Sequence, residues 1–121
     1  MEIYQTFKAI SESNKKARKD NNYYKLLENG QALLDYVPTL IDIIVDNEHQ
    51  YRKFEAEMAQ KRDENGKLMS GTYCETQAKA TDSYKEFRKA ELIKDWIYDS
   101  INLAKKLAVD SDNNLKATLN K

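Results

Sequence analysis

No apolar run in this chain approaches the length of a membrane span. The stretches present, such as Ile43-Ile44-Val45 and Leu33-Leu34, are only two or three residues long, which excludes a transmembrane helix. Met1-Glu2-Ile3-Tyr4 has neither a basic region nor an apolar one behind it, so no secretion signal is expected. The single cysteine, Cys74, cannot build a disulfide framework or a thiolate-rich metal centre. Neither sign of charge is in excess: 20 Lys plus Arg balance 20 Asp plus Glu. No global field therefore gathers nucleic acid or an anionic membrane. Three glycines are too few for most phosphate cradles, and no Ser/His/Asp set or nucleophile elbow occurs. The reading is of a non-enzyme, with no cofactor, no metal, no membrane and no small-molecule substrate.

What the chain does hold is charge and aromatic rings. Charged residues make up 33% and apolar types 40%, which is polar for a globular domain. Disorder would satisfy those numbers, but eight Tyr, three Phe and one Trp supply area to bury. Scarce Gly and Pro favour long helices with narrow apolar stripes. No segment alternates over strand length, so no sheet is expected. The expected fold is all-α: a bundle of three or four helices with a long antiparallel helical hairpin, coiled-coil-like, in one domain over 1–121. Residues 1–36 supply short base helices, 38–109 the hairpin, and 110–121 a polar tail open to disorder.

The apolar spacing predicts a helix over about 2–19, with Ile3, Phe7, Ile10, Asn14 and Ala17 on one face. Asn21 or Asn22 caps a second helix carrying Tyr23, Leu26 and Leu27. Gly30 either ends that helix or sits inside one running to Tyr36. Pro38 suits the first turn of a third helix or a kink. That third helix, about 38–64, is apolar up to Val45 and thin beyond. Asn65 to Gly71 reads as a loop. Thr72-Tyr73-Cys74-Glu75 reads as a capping box, opening a fourth helix without a breaker until about Val109. Its second half carries two apolar lines, Ile93, Ile97, Ile101, Ala104 and Ala108 beside Leu92, Trp96, Leu103 and Leu107. Turning near residue 68 sets Met58 against Ala80, Tyr51 against Phe87 and Ile44 against Ile93. Thin stripes then meet at the loop end and dense ones at the base, which makes the hairpin an arm tipped by Gly66 to Gly71.

Three constellations bear on chemistry. Asp42, Asp46, His49 and Lys53 share one helix face, as ligands of helical di-metal sites do. That face lies about 160° from the stripe of Ile41, Ile44, Tyr51 and Met58, so it reads as a solvated charged surface. Cys74 near a helix start would have its thiolate favoured by the helix amides; with no His close in sequence it reads as a plain small residue. Lys15, Lys16, Arg18 and Lys19 form the one dense basic run, with Tyr23 and Tyr24 following, and charge beside aromatic rings suits single strands.

The leading expectation is a helical interaction or assembly protein that acts by contact with another protein or with its own copies. Tyr51, Phe54, Tyr84 and Phe87 are the expected interaction residues, because a two-helix arm buries too little apolar area to stand alone. The alternative is a nucleic-acid-binding accessory protein using Lys15, Lys16 and Lys19. In composition the chain resembles the short, Lys- and Tyr-rich helical accessory proteins encoded by tailed phages. That resemblance implies a structural or inhibitory factor in the host cytoplasm or the virus particle.

Overall fold

A computed structural model describes residues 2–119, folded as five helices: α1 (Glu2–Lys19), α2 (Tyr23–Leu34), α3 (Val37–Ala59), α4 (Gly71–Lys79) and α5 (Asp82–Leu119). The fold is all-α. Among the described residues the one extended feature is an isolated antiparallel bridge between Arg62 and Leu68. The chain divides into two compact units. One takes the residues up to Val37 and those from Ile93 onward; the other is Pro38–Leu92.

Asp20-Asn21-Asn22 ends one helix and starts the next. Asn21 adopts the left-handed conformation at φ 55°, which Asn tolerates better than most residues. This lets the Asn21 amide donate to the Arg18 carbonyl (3.2 Å) and the Asn22 amide to the Ala17 carbonyl (2.7 Å). The pair closes α1 as a Schellman motif and satisfies two of its terminal carbonyls. Asn22 then accepts from the Lys25 amide through its side-chain oxygen (3.1 Å) and caps α2.

Within the first unit, α1 and α2 are tied by a buried polar contact. Asn29 donates through Nδ2 to Ser13 Oγ (3.1 Å) and to Asn14 Oδ1 (2.9 Å). An unpaired buried amide would cost about 1–3 kcal/mol, so these bonds specify which faces meet. Ala17, Leu26 and Ala104 form a buried cluster, with Tyr23, Leu27 and Leu107 packed on it. Gly30 lies inside α2, not at its end, and faces Ile101 of α5: a β-carbon built there would stand 2.6 Å from Ile101 Cγ1. The question of whether Gly30 breaks or continues the helix is thus answered by close approach.

The second unit has three helices where the arm was expected to have two. Tyr51 of α3, Ala78 of α4 and Phe87 of α5 form its buried cluster, with Ile44 and Tyr84 against it. The expected pairing of Tyr51 with Phe87 is observed, at 5.4 Å between ring centroids. Ser83 of α5 also donates to Gln50 of α3 (2.9 Å). Pro38 occupies the first turn of α3, where its missing amide hydrogen costs nothing.

The long fourth helix expected from 72 is two helices. Thr81 interrupts it: its hydroxyl donates to the Ala78 carbonyl (2.6 Å) and accepts from the Tyr84 amide (3.3 Å). A side chain that bonds the backbone on both sides offers an alternative to the helical ladder, and here it caps α5. Ser70, not Thr72, caps α4, accepting from the Tyr73 amide (3.1 Å); the expected capping box is not formed. α3 stops at Ala59, five residues earlier than expected. The following residues wind instead about Asp63, whose carboxylate accepts from the Asn65 (2.8 Å) and Lys67 (2.9 Å) amides, with Gly66 at φ 77°. The polar tail expected from 110 is helical through Leu119 and exposed along that length; 120–121 lie outside the described residues.

Candidate interaction site

Of the four expected interaction residues, the structure brings three together and turns them inward. Tyr51 meets Tyr84 edge-on (centroids 5.1 Å, planes at 88°) and both contact Phe87. Tyr51 and Phe87 are buried and Tyr84 is half-buried, whereas Phe54 is exposed and outside the cluster. The aromatic seam is therefore an internal core, because a third helix, α4, supplies Ala78 to close it. As an outward docking face, Tyr51 and Phe87 are spent; Phe54 alone of the four still faces solvent. Each ring pair adds about 0.5–1.5 kcal/mol beyond its buried area. The Arg52 guanidinium lies over the Tyr51 ring, 4.9 Å from its centroid. Burial raises the Tyr51 phenol above its ordinary value, opposed in part by the Arg52 charge.

Around this cluster runs a hollow of about 340 Å³ lined by charges of both signs, among them Glu48, Arg52, Glu75 and Lys79. Its charges mostly satisfy one another. Lys79 donates to Glu75 (2.7 Å), Arg52 approaches Glu55 (3.9 Å), and Arg88 bonds Glu91 one turn on. The Lys79 hydrogen bond holds the Glu75 carboxyl below its usual range, and the same bond raises Lys79. A rim that neutralises itself exerts little pull on a ligand.

Asp42, Asp46, His49 and Lys53 are all exposed, as the helical angle requires. Cys74 is only 1% exposed, because α4 turns that side chain, like that of Ala78, into the unit's interior. Its place in the core makes it a small apolar filler.

The first unit carries a different feature, a groove of about 210 Å³ lined by α1, α2 and α5. Leu26, Trp96, Leu103 and Ala104 give it apolar walls; Ser11, Asn14 and Ser100 add polar groups; Lys15 and Arg18 stand at its side. The groove follows from the two apolar lines on α5. Ile93, Ile97, Ile101 and Ala104 are buried, so the first line is covered. Trp96 and Leu107 are only half-buried and Leu103 is exposed, so the second is covered in part. Trp96 is anchored edge-on against Phe7 (4.9 Å, 83°).

The structure divides the basic run. Lys15, Lys16 and Lys19 are all exposed. Lys15 lines the groove together with Arg18, while Lys16 lines a separate hollow with Asp20. No side chain among the described residues pairs with Lys15 or Arg18. The sequence reading missed Trp96 and Arg18 as partners in one site. The available signal was the second apolar line on α5, which asks for a neighbour that α1 and α2 supply only partially. No family model, no characterised protein and no solved structure matches this chain.

Proposed function

We propose that this is a non-enzymatic interaction protein that works by presenting helix faces to a partner protein or to a second copy of itself. The observation that carries this reading is apolar area left in solvent on consecutive helical turns. Ile41 and Val45 lie four residues apart on α3 and are 45% and 59% exposed. Leu115 and Leu119 repeat that spacing on α5, also exposed. Single exposed apolar residues are ordinary; pairs sharing a face are the unit from which helix-to-helix contacts are built. Assembly and inhibition are physically one act here, the occupation of a partner's surface by such a face, and either fits the phage-type composition.

Sedimentation equilibrium and affinity capture from the native host test the proposal. The expected result is self-association or a retained partner, lost in Ile41→Asp/Val45→Asp without loss of helix. A strict monomer that retains nothing rejects it. A second reading, nucleic-acid contact through Lys15, Lys16 and Lys19, is favoured by three exposed ammonium groups that no carboxylate neutralises among the described residues. It requires steeply salt-dependent binding that falls when the three become Glu.

A further inference from the structure

The geometry points to the groove of the first unit as the receptor for an acidic peptide segment carrying one bulky apolar side chain. The inference rests on the protein-binding reading above and names the chemistry of the partner. Three observations support it.

The floor is apolar and only partly covered. Leu103 remains 39% exposed one residue away from Ala104, which is 1% exposed, so α5 passes here from a covered face to an open one. At about 210 Å³ the hollow is below the roughly 300–1,000 Å³ of sites that enclose a small molecule. It suits the anchor side chain of a longer segment that continues across the surface.

The wall is cationic and unsatisfied. In a chain of zero net charge, the ion pairs Lys25–Glu28, Arg52–Glu55, Lys79–Glu75 and Arg88–Glu91 each join residues three or four apart on one helix. Among the described residues Lys15 and Arg18 stand beside the groove without such a partner. Two free cations next to an apolar floor complement carboxylates that flank an apolar anchor. Arg18 in addition offers a fork matched to a carboxylate.

The floor also discriminates against a nucleic-acid strand. Leu26, Leu103 and Ala104 are aliphatic, and the one large ring, Trp96, is already held edge-on by Phe7. Single strands are bound on open aromatic platforms that stack successive bases, and this wall offers none.

Trp96 is the chain's sole tryptophan, so its fluorescence reports the groove without a label. The probe is a synthetic tryptophan-free peptide, a single central Phe flanked on each side by two Glu residues. The expected result is a saturable 1:1 change in Trp96 emission that weakens about tenfold in Lys15→Glu/Arg18→Glu. Leu103→Asp should weaken it comparably, while Lys16→Glu, a like charge change outside the groove, should leave it nearly unchanged. All these positions are exposed, and circular dichroism checks that the variants keep their helix.

Equal binding of the same peptide with Lys in place of Glu would overturn the assignment. So would an equal loss in Lys16→Glu, or a stronger Trp96 response to oligothymidylate than to the peptide. If Trp96 answers no peptide while association through Ile41 and Val45 persists, the groove assignment fails and the broader reading stands. If that association is absent too, both fail.

Discussion

Gly30→Ala should destabilise the protein although alanine is the better helix former. In the middle of α2 the exchange favours the helix by about 1 kcal/mol. The added methyl carbon, however, would lie 2.6 Å from Ile101 Cγ1, 3.6 Å from its Cδ1 and 3.7 Å from its Cβ. Ordinary contact begins near 3.4 Å, so close to a full ångström must be recovered. Cγ1 sits one bond from the branch point of a side chain that a helix holds in essentially one rotamer, and Ile101 is itself buried. It cannot swing clear as the tip of a long side chain would, so α2 and α5 must separate or the rotamer must be forced. Overpacking of this kind costs about 1–3 kcal/mol. Set against the helical gain, the net loss is about 1 kcal/mol, or roughly 4 °C in Tm for a chain of this size. Denaturant unfolding followed by far-ultraviolet circular dichroism measures it, with the m-value unchanged. The decisive arm is the double-mutant cycle. Ile101→Ala alone should cost about 2–5 kcal/mol. In that background Gly30→Ala should reverse sign and stabilise by about 1 kcal/mol, giving a coupling of about 2 kcal/mol. If Gly30→Ala stabilises the unaltered protein, or if the two effects add, the close approach of α2 to α5 is not what selects glycine.

Three further outcomes follow from the same packing. Asn29→Ala removes both hydrogen bonds that tie α2 to Ser13 and Asn14, and should cost about 1–3 kcal/mol in denaturant unfolding. Thr81→Ala removes the cap between α4 and α5 and should cost about 1 kcal/mol, whereas Thr81→Asp should retain most of the stability because its carboxylate can accept the same amide. Tyr51 has its phenol raised above the ordinary value of 10.0, chiefly by burial. The folded state then holds that proton more tightly than the unfolded one. Its contribution is present in full below the unfolded value and lost as pH rises through the folded value. Tyr51→Phe should therefore lessen the alkaline loss of stability above pH 10, and absorbance titration should show one late-ionising phenol removed.

Apolar material is distributed unevenly here: two units each bury a modest core, and helix faces at Ile41 and Val45 and beside Trp96 are left in solvent. That distribution is what the proposed interaction role rests on. The charged hollow around Tyr51 is larger than the groove at Trp96, but each of its cations is paired with a nearby carboxylate. The smaller groove keeps its cations free, and unsatisfied charge next to apolar area is what a partner can recognise.

Helix content, the limits of α1, a cap at Asn21 or Asn22, the buried line on α5 and the meeting of Tyr51 with Phe87 were all legible in the residues. Each depends on spacing along one helix or on a side chain bonding its neighbours, and such information is local. Thr81 was legible in principle, since a β-branched hydroxyl residue followed by Asp82 and Ser83 is a helix start as much as a helix interior. The expectation of one unbroken helix gave that local bonding too little weight. The inward turn of Cys74, the choice of glycine at position 30, and the placing of Lys15 and Arg18 beside the Trp96 groove were decided by tertiary structure. A helical face records that a side chain points away from its own axis. It does not record which other helix arrives there, how closely, or whether anything arrives at all.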